Sequence, residues 1–204
     1  EAGALLHLRF VVRSGKPADV TDTTLATELL LLDRCLEALR EAMPGARSLQ
    51  ARIVAQIVYY FTAAASLGAP HRKVSFVVPT GNFGDIFAGY CAQRMGLPIE
   101  KLVIATNAND ILRRTIDTGR YEMNGVAPTI SPSMDIQISS NFERLLFESA
   151  DRDASAVLRM MDGLKQSGGF AVPDNALAAI RRDFASGTTG EAETRATISM
   201  TLKA

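Results

Sequence analysis

The sequence is poor in the residues that staple or metallate a small fold. Its two cysteines, Cys35 and Cys91, stand far apart and form no CxxC pair, so neither a disulfide framework nor a zinc site is read from it. The histidines, His7 and His71, are isolated from each other and from the thiols. Each thiol is expected to be a small buried hydrophobe, in a reducing, cytoplasmic compartment. Charge of one sign is also missing. Lys plus Arg is 22 and Asp plus Glu is 22, so the net charge is zero. A nucleic-acid-binding surface ordinarily needs a basic surplus, and none is expected as a partner here. No long hydrophobic run is present either. The longest, 53–69, is interrupted by Gln56, Thr62 and Ser66 and is short for a bilayer, so no membrane contact is expected. No basic segment followed by an apolar one opens the chain. With Glu1 in first place, the expectation is a processed chain or a fragment.

What is present is ordinary core material. Of 204 residues, 47% are hydrophobic and 22% charged, enough for one or two globular domains and incompatible with intrinsic disorder. Residues 5–13 alternate like a strand. A helix is expected over 25–43, with Leu25, Leu29, Leu32, Leu36, Leu39 and Met43 on one seam. That seam fits core packing or a dimer contact. Pro44-Gly45 ends it, and a helix apolar on almost every side follows over 49–67. Val74 to Val78 reads as a fully buried strand of parallel-sheet type. A helix from Asp85 to Arg94, a strand over 101–106 and a helix ending at Gly119 come next. This strand–helix–strand–helix order implies a parallel α/β sheet. Residues 120–140 read as a long loop, and helices are expected over 141–147, 154–164, 175–184 and 191–200.

The stretch that carries chemistry is Val77-Val78-Pro79-Thr80-Gly81-Asn82-Phe83-Gly84-Asp85. A strand runs into a glycine-bearing loop that opens a helix. Free N–H groups at a helix start favour an anion, and the expected ligand is a phosphate at the carboxyl end of the strand. Gly81 and Gly84 are expected to let the backbone approach a ligand and to reach positive φ. The spacing is Gly-x-x-Gly, which matches neither the dinucleotide fingerprint nor the P-loop. A plain glycine turn remains the alternative. Asn82 either donates to the phosphate or tolerates a left-handed turn. Phe83 is expected to pack. Asp85 would repel a phosphate at close range and is expected to cap the helix.

Beyond this loop, several motifs occur in order. They are Ala51-Arg52-Ile53-Val54-Ala55-Gln56-Ile57, Ala105-Thr106-Asn107-Ala108-Asn109-Asp110, Thr118-Gly119-Arg120-Tyr121, Ser131-Pro132-Ser133-Met134-Asp135-Ile136 and Ser140-Asn141-Phe142-Glu143-Arg144-Leu145-Leu146. Together with Pro79 to Asp85 they resemble threonine synthase over about residues 51–200. The resemblance implies an α/β fold, a parallel-sheet fragment of the tryptophan synthase β-like, pyridoxal-phosphate-dependent type with additional C-terminal helices. It implies residues 48–204 as a truncated phosphate-loop domain, with residues 1–47 outside the family pattern. It implies pyridoxal 5'-phosphate as cofactor, held by Thr80, Gly81, Asn82, Phe83, Gly84 and Asp85. The implied reaction takes O-phospho-L-homoserine and water to L-threonine and phosphate. Arg144 is one candidate for the substrate phosphate, and Arg52 is expected in an ion pair.

The family holds its cofactor on a lysine in a Phe-Lys-Asp type context. Lys16, Lys73, Lys101, Lys165 and Lys203 stand in none, and no catalytic residue is assigned. Arg47-Ser48-Leu49-Gln50 replaces the family's Asn-Ser-Ile-Asn-like run, and the chain is expected to stop before the group facing the pyridine nitrogen. The expectation is a partial threonine synthase that is inactive alone. An inactive remnant that keeps its phosphate loop, or a related phospholyase, are the alternatives.

Overall fold

The computed structural model describes residues 49–201. The strand expected over 5–13 and the seam helix over 25–43, with His7 and Cys35, lie outside them. A long helix, α1 (Leu49–Ser66), leads to β1 (Val74–Pro79), α2 (Gly84–Arg94), β2 (Ile99–Thr106) and α3 (Ile111–Thr118). A short strand β3 (Arg120–Glu122) follows, then a single 3₁₀ turn at Pro132–Met134 and α4 (Phe142–Ser149). The remainder is α5 (Ala154–Ser167), β4 (Gly169–Ala171), α6 (Asp174–Asp183), β5 (Phe184–Thr188) and α7 (Glu191–Thr201).

Three strands form the parallel sheet in the order β1–β2–β5. Phe76 pairs with Leu102 and Pro79 with Ala105, while Leu102 pairs with Phe184 and Thr106 with Thr188. All three strands therefore end at one edge, where their following loops gather. β3 and β4 pair antiparallel, Tyr121 opposite Phe170.

The core sits on one face of the sheet. Val74, Phe76 and Val78 point into it, and the Tyr60 ring meets Phe76 edge-on at 4.8 Å between centroids. Helix α2 comes in closely because Gly89 has no side chain. A Cβ there would lie 2.6 Å from the Tyr60 ring and 2.9 Å from Leu102. Opposite faces of β1 differ: Ser75, Val77 and Pro79 are exposed, Val77 by 42%. The expectation of a fully buried strand is thus corrected. Its apolar run reflects high β propensity at a sheet edge with one side open among the described residues.

Long side chains tie helix ends to the sheet. Arg181 donates to the carbonyls of Ile116 and Asp117, closing the end of α3, and Lys101 Nζ donates to the carbonyls of Arg181 and Arg182 at the end of α6. Several boundaries differ from the sequence reading, β2 starting at Ile99 and α5 reaching Ser167. The helix expected to run through Phe184 stops at Asp183, because Phe184 takes an extended conformation (φ −112°, ψ 148°) and pairs with Leu102. The loop expected over 120–140 begins with strand β3. Cys91 is free and half-buried rather than fully buried, and burial pushes its thiol up.

Candidate functional site: an oxyanion cradle at the carboxyl edge of the sheet

The loop after β1 keeps the sheet's register for one more residue. The Thr80 N–H donates to the Ala105 carbonyl at 2.8 Å, and Thr80 Oγ1 donates to Val78 O at 2.6 Å. Beyond it the backbone carbonyls are clamped from a segment nearly 60 positions later. Ser139 Oγ donates to Gly81 O at 2.8 Å. Asn141 donates to Asn82 O twice, from its backbone N–H at 3.1 Å and its side-chain Nδ2 at 2.9 Å. Arg144 Nε in turn donates to Asn141 Oδ1 at 3.1 Å. The carbonyls are thereby fixed, while the N–H groups of Gly81, Asn82 and Phe83 find no acceptor among the described residues. The first N–H groups of α2 have none within the helix.

Phe83 turns the chain. It sits at the N-cap of α2 with φ 64° and ψ 1° and makes no side-chain cap. A phenylalanine in this left-handed conformation is costly and persists only where packing over-determines it. Here its ring is 1% exposed, edge-on to Phe142 at 5.3 Å and 5.7 Å from Phe184. The glycines serve a different purpose from the one expected. Neither Gly81 nor Gly84 has positive φ. A Cβ on Gly81 would lie 2.7 Å from Ser133 O, and one on Gly84 3.4 Å from Asn141 Nδ2. Their role is close approach of neighbouring backbone and side chain. Asn82, also without positive φ, leaves the left-handed turn to Phe83.

Residues 79–86 with Ile53, Gln56 and Asn141 enclose a cavity of about 260 Å³. Asp85 lines it but does not cap. It is the second residue of α2, and its Oδ1 is buried without a hydrogen bond. Burial pushes its carboxyl up, the Tyr60 hydroxyl acting in the opposite direction. Burial, then the nearby Asp85 charge, pushes the Tyr60 phenol far up.

Beside the cradle, the loop over 123–135 is built on a different carboxylate. Asp135 accepts from Thr129 N (2.8 Å), Thr129 Oγ1 (2.7 Å), Asn107 Nδ2 (2.7 Å) and Asn109 Nδ2 (3.0 Å). Burial opposes its charge, but these donors together outweigh burial and hold the carboxyl below the usual range. Asn107 and Asn109 follow β2, so this network fastens the loop to the same sheet edge.

All six residues expected from sequence, Thr80 to Asp85, line one cavity. Sequence reasoning missed the clamps Ser139 and Asn141, although Asn141 stood within a quoted motif. Gln56 was visible as a polar residue on an apolar helix. Arg144 braces Asn141 and does not line the cavity. The side chain of Arg52 lies outside what is described. Of the described lysines, Lys73 and Lys165 are exposed, Lys101 holds the end of α6, and none lines the cavity. No group of three or more His, Cys, Asp or Glu among the described residues is placed to hold a metal.

Free N–H groups at a helix start, beyond the carboxyl ends of parallel strands, define an α/β protein with a candidate anion site at that edge of its sheet. No family model matches the chain. Threonine synthase of Pseudomonas aeruginosa is 54% identical over 148 residues, 72% of this chain and 32% of that protein. The crystal structure of PLP-bound threonine synthase from Brucella melitensis aligns with a TM-score of 0.68 and 70% identity, over 69% of this chain and 30% of that one. Yeast threonine synthase aligns with a TM-score of 0.67 and 48% identity, over 71% and 31%. The matched stretch is similar to one part of threonine synthase, and the chain spans about a third of the length of these relatives.

Proposed function

We propose that the cradle holds the phosphate of pyridoxal 5'-phosphate, and that this segment serves the threonine synthase reaction on O-phospho-L-homoserine. The observation that carries this is the set of N–H groups at Gly81, Asn82 and Phe83, without acceptors among the described residues, in a loop that lines one cavity. An oxyanion needs such donors. The cofactor, when bound, supplies an electron sink for carbanion chemistry. The chain's own contribution is positioning. Ser139 and Asn141 hold the loop carbonyls, Phe142 packs against Phe83, and the N–H groups of the loop are left free for a ligand.

No described lysine lines the cavity, which supports a phosphate cradle whose chemistry is completed by residues outside residues 49–201. Because none of the chain's lysines stands in a Phe-Lys-Asp type context, we read the isolated chain as a binder without turnover. A reducing cytoplasmic setting suits its free thiol at Cys91. No helix among the described residues is long and apolar enough to cross a membrane.

Pyridoxine 5'-phosphate, which has no aldehyde to react with surface lysines, is the clean probe. Equilibrium dialysis should show it bound at least about tenfold more tightly than pyridoxine, a difference of roughly 1.4 kcal/mol. Gly81→Val should remove that difference while circular dichroism stays native. Equal retention of the two compounds contradicts the cradle. Phosphate release from O-phospho-L-homoserine by the purified chain contradicts its inactivity.

A further inference from the structure

Among the described residues, two buried side-chain atoms lack a hydrogen bond: the Tyr60 hydroxyl and Asp85 Oδ1. Tyr60 is 2% exposed, from the middle of α1, and Asp85 opens α2. The two groups interact across the packed pair of helices without reaching hydrogen-bond geometry. Asp85 also walls the cradle, in the turn whose N–H groups would receive an oxyanion. An ionised carboxylate there repels the ligand that the backbone attracts. A neutral carboxyl does not.

We propose that the cradle takes up its oxyanion together with one proton from solvent, held on the Asp85 carboxyl, with Tyr60 setting the pH at which that proton is gained. This rests on the reading of the loop as an oxyanion cradle and adds the charge state in which it binds. Burial already favours the neutral acid, and an anion in the cradle favours it further. Among the described residues, the groups around Asp85 leave it as the one that responds. From α1 the facing ionisable group is Tyr60, the side chain of Arg52 lying outside what is described. On α4, Arg144 is engaged by Asn141. Within α2 the next ionisable residue is Tyr90, more than a turn away.

Sulfate tests this, because it stays a dianion across the pH range used. The amide signals of residues 81–84 report its binding by NMR, in the full chain, between pH 5 and 8. The wild type should bind up to about tenfold more tightly per pH unit lowered, the limit for one linked proton. Asp85→Asn should bind with no such slope and more tightly than wild type at pH 8. Tyr60→Phe should move the slope to higher pH, because the hydroxyl favours the charged carboxyl. The Asp85 carboxyl carbon, followed directly, should titrate at higher pH with sulfate than without, a readout that needs no variant. Equal slopes in wild type and Asp85→Asn, or a carboxyl midpoint unmoved by sulfate, overturn the proton inference and leave the cradle standing. Absence of sulfate shifts at residues 81–84 at every pH overturns the cradle reading and this inference with it.

Discussion

Asp85, in the first turn of α2, and Asp135, in the loop over 123–135, stand in adjoining segments at the same edge of the same sheet, and the fold treats them in opposite ways. The loops touch where Gly81 approaches Ser133. Asp135 is saturated with donors from Thr129, Asn107 and Asn109, and its carboxyl is held low. Asp85 is partly buried with one oxygen unsatisfied, and its carboxyl is held high. One loop spends its donors on its own carboxylate and becomes a fixed wall. The other leaves its N–H groups free and tolerates an unsatisfied acid beside them. A segment that satisfies all its hydrogen bonds internally is structure. One that leaves a concentrated set unmet, in a shaped cavity, is available for a ligand.

Removing the aromatic pin should have the largest effect. Phe142→Ala should destabilise the fold by about 3–5 kcal/mol, the range for a fully buried phenylalanine, and should weaken pyridoxine 5'-phosphate binding because Phe83 loses its brace. Thermal unfolding and dialysis read the two consequences. Unchanged binding in a destabilised protein would show that the left-handed Phe83 is held by something else. Asn141→Ala should cost about 1–3 kcal/mol, since it leaves the Asn82 carbonyl with the backbone donor alone, and should likewise weaken binding.

The two aspartates should then separate by sign. Asp85→Asn should raise the melting temperature at neutral pH by relieving an unsatisfied buried charge, a gain of about 1 kcal/mol. The native carboxyl is raised, so its penalty is absent well below its ordinary value of 3.8 and grows as pH rises through the folded value. The benefit of Asp85→Asn should therefore vanish in acid. Asp135→Asn should lower the melting temperature at neutral pH. That carboxyl is lowered, so its contribution is present above 3.8 and fades as pH falls through the folded value. Two variants that move in the same direction at pH 7 would break the contrast. The smallest expected effect is in hydrogen exchange. The Thr129 amide, bonded to Asp135, should exchange slowly, and those of Gly81, Asn82 and Phe83 quickly.

Much of this was legible in the residues because local signals and tertiary structure agree. The apolar run 74–78, the glycine loop, and the Gly119 stop each act over a few positions, and β1, α2, β2 and α3 appear where those signals place them. What was not legible depends on distant partners. Phe184-Ala-Ser-Gly-Thr188 has no strand pattern of its own and becomes β5 by pairing with β2, more than 80 positions earlier. Nothing local marks Phe83 as the left-handed residue between two glycines. Burial against Phe142 and Phe184 decides it. The Asp135 network is equally non-local, since its donors come from Asn107, Asn109 and Thr129. The six loop residues were found, while what each contributes had to come from their surroundings.

The most direct test of the cradle is a crystal structure of this chain grown with pyridoxine 5'-phosphate. The account predicts phosphate oxygens about 2.7–3.2 Å from the N–H groups of residues 81–84, with Phe83 still left-handed. A phosphate bound elsewhere, with those N–H groups facing water, would contradict it.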